Sequence, residues 1–128
     1  MWQARAICAL AEHFQQGKLS DRLLLDPAQT PEQVAALLTA VKGIGPWSAN
    51  MFQMFSLQHP DVLPLGDLGV RKGAAKAFGL RGSGKAGVPD EKKDRDALLA
   101  AFEPYRPFRS LAAWYMWRVE DTPSFLDD

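Results

Sequence analysis

Cysteine occurs once in the 128 residues, at Cys8. One thiol cannot close a disulfide within the chain, nor can it supply the several thiolates an iron–sulfur cluster needs. No apolar run approaches the roughly 20 residues of a membrane-spanning helix. The opening Met1-Trp2-Gln3-Ala4-Arg5 lacks the apolar stretch of a signal peptide. These absences point to an intracellular chain with no membrane role. An excess of charge is missing too: Lys and Arg number 15, Asp and Glu 15, and the formal net charge is zero. No bulk field draws the chain toward nucleic acid or anionic lipid, so any such binding must come from local placement of charge. No segment alternates with the period of a strand and no repeat is visible. The expected fold class is all-α, with residues 1–128 forming a single helical domain.

What is present reads as a succession of amphipathic helices in an ordinary soluble composition, 47% hydrophobic and 23% charged. Ile7, Leu10, Ala11 and Phe14 mark a first helix that Gly17 closes. Ser20 can cap the short run Leu23-Leu24-Leu25, which ends at Asp26-Pro27. At Thr30-Pro31-Glu32-Gln33 a capping residue, a proline suited to the first helical position and a capping-box partner coincide. Val34, Leu37, Leu38 and Val41 then form one stripe. Gly43 and Gly45 allow the chain to reverse within a few residues, with Ile44 filling the gap between the helices. Pro46 opens the return helix through Ala49, Met51, Phe52, Phe55 and Leu57, so the hairpin spans about residues 31–57. Residues 61–66 read as a short extended connector. Asp67 takes an N-cap position ahead of residues 68–78, and Gly79 stops that helix. Residues 81–92 have the composition of a flexible surface loop. A helix with Ala97, Leu98, Ala101 and Phe102 ends at Pro104. Pro107 opens the last one, which carries Leu111, Ala112, Trp114, Tyr115 and Trp117.

Three features of this outline carry chemistry. A Gly-x-Gly turn opening a helix aims backbone N–H groups outward at the positive end of the helix dipole, where a phosphate oxygen can bind without a cationic side chain. The same turn is also an ordinary helix-helix connection. A carboxylate at the head of a helix is a cap, and it is equally a fixed negative charge beside which positive charge on a sugar can develop. Trp47, Trp114 and Trp117 suit a core, and their electron-rich faces also suit flat cationic rings. Bases gather between Asp67 and Arg118 (Arg71, Lys72, Lys76, Arg81, Lys85, Arg106, Arg109, Arg118), while Glu120-Asp121 and Asp127-Asp128 make an acidic tail. A solvated helical surface accounts for such a cluster as well as a binding face does.

Residues 41–51 around Lys42-Gly43-Ile44-Gly45-Pro46-Trp47, residues 61–70 around Pro64-Leu65-Gly66-Asp67, and residues 106–117 from Arg106-Pro107 to Trp117 together resemble the helix-hairpin-helix DNA glycosylases. Within them the match is to the 3-methyladenine, or alkylated-base, branch. The three blocks stand in the family's order. The resemblance implies that Asp67 is the catalytic aspartate and that Gly43, Ile44, Gly45 and Ser48 grip DNA phosphates, with Lys72 among the DNA contacts. It implies that Trp47, Met51 and Trp117 line the base pocket. It also implies a monovalent cation, Na+ or K+, on the backbone carbonyls of Thr39, Val41 and Ile44, with no cofactor taking part in the chemistry. Relatives that also cut the backbone carry a lysine where Trp47 stands, so the implied enzyme is a monofunctional hydrolase excising alkylated purines in base-excision repair. Its partner would be double-stranded DNA with alkylated bases, its state a monomer when complete, and its compartment the nucleus in a eukaryote or the cytoplasm in a bacterium.

The family's helical domain normally has several more helices ahead of the point that matches Met1. The chain therefore resembles the C-terminal portion of a glycosylase, N-terminally truncated relative to the family. Missing helices would leave an apolar face exposed. Two alternatives stay open on the residues alone: a non-catalytic helix-hairpin-helix module that holds DNA by its backbone, and an inactive remnant with inherited motifs.

Overall fold

The computed structural model describes residues 1–123, and the regular structure among them is helical throughout. The acidic Asp127-Asp128 lies outside the described residues. The chain groups into two compact units, Met1–His59 and Pro60–Asp128.

The first unit holds α1 (Trp2–Gln15), α2 (Asp21–Leu24), α3 (Pro31–Thr39) and α4 (Pro46–Phe55). Local chemistry fixes three of these starts. Ser20 accepts the amide of Leu23 at the head of α2. Thr30 and Gln33 form a reciprocal capping box, Thr30 Oγ1 accepting from the Gln33 amide at 3.2 Å and Gln33 Oε1 from the Thr30 amide at 2.8 Å. Pro31 and Pro46 occupy first-turn positions where an N–H would have no partner. Leu19, Leu24, Val34, Leu38, Val41 and Ala49 form the core of the unit, with Leu10, Leu37, Ile44, Phe52 and Leu57 packed around it. Each fully buried aliphatic contributes about 1.5–3 kcal/mol.

The second unit holds α5 (Leu68–Phe78), α6 (Arg95–Phe102) and α7 (Arg109–Asp121), with single 3-10 turns at Lys85–Gly87 and Glu103–Tyr105. Val70, Ala74, Leu98, Phe102 and Ala113 are wholly buried. Phe78 meets Phe102 edge-on at 5.4 Å and stacks on Tyr105 at 5.9 Å. Helices α5 and α7 pack closely because α5 presents glycine to α7. A Cβ on Gly73 would lie 2.1 Å from the carbonyl oxygen of Met116, and one on Gly69 would lie 2.8 Å from Cδ1 of Trp117.

The structure departs from the sequence-based expectations in four places. Gly45 is extended (φ −94°, ψ 175°) and needs no special backbone, whereas Gly43 does, at φ +98°. Pro107 does not open the last helix. It follows a cis peptide bond, and α7 begins two residues later with Phe108 as its N-cap. The segment 81–92 is cross-tied rather than loose: Asp94 Oδ2 accepts from the Ser83 amide, the Ser83 hydroxyl and the Asp90 amide, and Pro89 is buried. Along α7 the buried face is Arg109, Ala112, Ala113 and Met116, so Leu111, Trp114 and Tyr115 point outward. Small residues fill a close helix crossing better than large ones, which inverts the usual reading of an aromatic stripe.

Candidate functional site

Asp67 stands at the head of α5 in extended conformation, as an N-cap should. Its amide donates to Pro64 O at 2.9 Å, closing the turn that ends the connector. Its Oδ1 accepts the Val70 amide at 2.9 Å, the ordinary capping bond. The same oxygen accepts the indole N–H of Trp117 at 2.8 Å, from α7 fifty residues on. Two donors and the positive end of α5 thus converge on one partly buried carboxylate, an arrangement that favours its negative charge and fixes its direction.

A second layer holds the connector in place. Asp61 receives a bidentate fork from Arg109, Nε to Oδ1 at 2.7 Å and Nη2 to Oδ2 at 3.0 Å, and also the Arg109 amide. Arg106 adds Nη1 to Oδ2 at 3.2 Å while its Nε engages Glu103. The Arg109 guanidinium holds the Asp61 carboxyl below the usual carboxylate range, against the opposing effect of desolvation. Ser110 donates its amide to Pro60 O at 3.0 Å, and its hydroxyl accepts the Val62 amide at 2.8 Å. The first turn of α7 is therefore laced to residues 60–62, and the last turns of α7 supply Trp117 to Asp67. One helix positions both ends of the segment that carries the carboxylate.

In the first unit the hairpin tip is open. Gly43 packs against α1, where a Cβ would meet that of Ala6 at 2.5 Å, so this glycine is required by contact as well as by φ. A Cβ on Gly45 would meet nothing within 4 Å, and no side chain caps α4. Lys42, Gly43, Gly45, Trp47 and Ser48 are exposed, while Ile44 turns inward toward the core of the unit. A long anion can therefore reach the backbone of the turn without steric hindrance. Trp47 is 51% exposed, and Met51, one turn on, shares its face of α4. The Val41 carbonyl accepts the Ile44 amide at 3.0 Å, which closes the turn of the hairpin. Lys72 lies on α5, its ammonium 3.4 Å from Glu120.

Sequence reasoning singled out Asp67, Trp117 and the hairpin but gave no role to Asp61, Arg109, Ser110, Gly69 or Gly73. All five lie inside the motif blocks or the helix between them. What they do depends on partners 43 to 50 positions away, which no local pattern reveals.

A carboxylate pinned at a helix head, in a chain that also carries an open Gly-x-Gly hairpin, is the constitution of a helix-hairpin-helix DNA glycosylase domain. No family model matches the chain. The putative DNA-3-methyladenine glycosylase YfjP of Bacillus subtilis is 32% identical to it over 92 residues, 72% of this chain and 29% of that protein. The crystal structure of DNA-3-methyladenine glycosidase from Bacillus halodurans superposes with a TM-score of 0.77 at 32% identity, over 94% of this chain and 51% of that one. The fission yeast 3-methyladenine DNA glycosylase Mag1, solved in complex with abasic DNA, gives 0.74 at 28% identity, over 91% and 52%. Over most of its length the chain is thus similar to part of the DNA-3-methyladenine glycosylases. It spans about a third of the length of the curated relatives it matches, between 29% and 37% for the first three.

Proposed function

We propose that this chain carries the excising carboxylate and the DNA-gripping hairpin of a monofunctional glycosylase that removes alkylated purines from duplex DNA. The observation that carries the proposal is the Asp67 carboxylate held at 2.8 Å by Trp117 and at 2.9 Å by the first turn of α5. The damaged nucleotide is turned out of the stack, since its sugar is not accessible within the duplex. Backbone around Gly43, Ile44, Gly45 and Ser48 holds phosphates, with Lys72 as a further contact. Trp47, Met51 and Trp117 are assigned to the base, whose cationic ring is attracted to aromatic faces.

An N-alkylated purine of this kind carries positive charge. When its glycosidic bond breaks, the bonding pair moves onto the purine nitrogen and the base departs neutral, so little protonation is required. The sugar is left as an oxocarbenium-like cation. Asp67 stabilises that charge, and water adds its oxygen to the anomeric carbon while its proton passes to Asp67 or to solvent. Trp47 offers no amine, so no Schiff base with the sugar forms at that position. The carbonyls of Thr39, Val41 and Ile44 are the proposed seat of a monovalent cation that does no chemistry. The work is done wherever the chromosome is.

Asp67→Asn is expected to lower release of free base from methylated duplex at least about 100-fold, the scale on which loss of a transition-state charge partner acts, while binding to the same duplex changes little. Release by the variant at the wild-type rate refutes the assignment of Asp67. No release by either, from a folded sample, assigns excision to a longer protein of which this chain is part.

A further inference from the structure

Adjoining the site above through Lys72, the second unit contains a cleft of about 520 Å³ between the later turns of α5, the end of α7 and residues 80–88. Among the described residues, three cationic side chains line it, Lys72, Lys76 and Arg81, with one carboxylate, Glu120. That carboxylate bridges two ammonium groups, Oε1 lying 3.4 Å from Lys72 Nζ and Oε2 3.6 Å from Lys76 Nζ. Lys76 also donates to the backbone oxygen of Glu120 at 3.1 Å. Arg81 has no ion-pair partner among the described residues. The segment presenting it is fixed, Gly82 N–H donating to Gly87 O at 2.8 Å and Gly84 N–H to Val88 O at 3.0 Å.

Three cations facing one acid leave an excess of positive charge in a concave site, although the whole chain has none. The two ion pairs are long compared with the roughly 2.7–2.9 Å of a tight charge-assisted hydrogen bond. Their lysines are 43% and 49% exposed, so each pair contributes little to stability and opens at small cost. A carboxylate set between two ammoniums has the charge and the oxygen spacing of a bound phosphate edge. Position completes the argument. Lys72 lies five residues past Asp67 on α5, about 7.5 Å along the helix axis, and Glu120 lies one turn past Trp117 on α7. The cleft continues along the two helices whose ends make the Asp67–Trp117 contact.

We propose that this cleft is a second seat for the DNA backbone, latched in the free protein by Glu120 as an internal stand-in for phosphate. The latch gives way to a polyanion, whose phosphates engage Lys72, Lys76 and Arg81 and release counterions in doing so. The inference rests on the DNA reading above and concerns binding rather than excision.

The test is fluorescence anisotropy of the full 128-residue chain with a labelled, undamaged duplex across a series of salt concentrations. Glu120→Gln is expected to tighten binding about threefold or more, while Asp121→Asn, the same charge change one residue away, does so far less. Lys76→Gln with Arg81→Gln is expected to weaken binding and to lower the slope of log affinity against log salt by about two. Equal effects of Glu120→Gln and Asp121→Asn would show bulk charge alone and overturn the proposal, as would an unchanged salt slope in the double variant. A Glu120→Gln chain that gains affinity for inorganic phosphate but not for duplex would make this a small-anion site and also overturn it. Circular dichroism establishes folding, and if Glu120→Gln fails to fold the salt slope of the Lys76/Arg81 variant decides. The readout is binding to undamaged DNA, so a chain that excises nothing can still pass, and an active one can still fail.

Discussion

At the scale of single residues, two glycines on one face of α5 do different work. Gly73 faces backbone: a methyl there overlaps the Met116 carbonyl, which cannot move without moving α7. Gly73→Ala is therefore expected to cost about 1–3 kcal/mol by overpacking, read as a lower midpoint in urea unfolding. Gly69 faces the edge of the Trp117 ring, and its Cβ position also lies 3.2 Å from Asp67 Oδ1. A side chain can rotate where a helix cannot. Gly69→Ala should thus displace Trp117 from Asp67 at smaller cost in stability and lower base release disproportionately; unchanged release would sink the view that the indole holds the carboxylate. Asp61 supplies a pH signature. Its carboxyl pKa is lowered in the folded state, chiefly by Arg109. Its stabilisation is fully present above the unfolded value near 3.9 and is lost as pH falls through the folded value. Asp61→Ala leaves the largely buried Arg109 without its fork partner and is expected to cost about 2–3 kcal/mol at neutral pH. The stability of that variant should fall less steeply than wild type between pH 5 and 2.

At the scale of elements, the hairpin helix α3 depends on its start. Thr30→Ala removes the Oγ1 acceptor of the capping box and should destabilise the protein by about 1 kcal/mol in chemical denaturation. The loop ahead of α6 shows how composition misleads. Its glycines and lysines read as mobile chain, yet Asp94 binds three donors across it and Asp90 accepts the Lys92 and Lys93 amides. Asp94→Asn is expected to speed amide hydrogen exchange at Ser83 and Asp90 while leaving α5 protected. Those bonds close over 11 residues or fewer, but which carboxylate turns inward depends on the buried Pro89 and the Arg71 bond to its carbonyl at 2.9 Å.

At the scale of the whole molecule, the second unit exposes apolar area that an isolated domain normally covers. Phe108, Leu111 and Tyr115 are 60%, 55% and 54% exposed around a cavity of about 620 Å³ that Phe78 and Met116 also line. Contiguous apolar surface of this kind promotes association. The chain is expected to sediment faster as its concentration rises, and Leu111→Gln with Tyr115→Gln to reduce that dependence; ideal monomer behaviour of the wild type at all concentrations would contradict it.

The sequence by itself determined the helices, because caps, prolines and stripes act within a turn or two. Thr30, Pro31, Gln33, Ser20, Gly43 and Asp67 all do what their local chemistry dictates. It also brought the site into view, through the Gly-x-Gly turn and a carboxylate at a helix head. Tertiary structure alone decided which groups meet that carboxylate, which glycines are obligatory and which aromatics face outward. The physical reason is range. Capping is a contact between residues three apart, whereas the Asp67–Trp117 and Asp61–Arg109 bonds join residues fifty and forty-eight apart, and exist only once α7 has packed against the glycine face of α5.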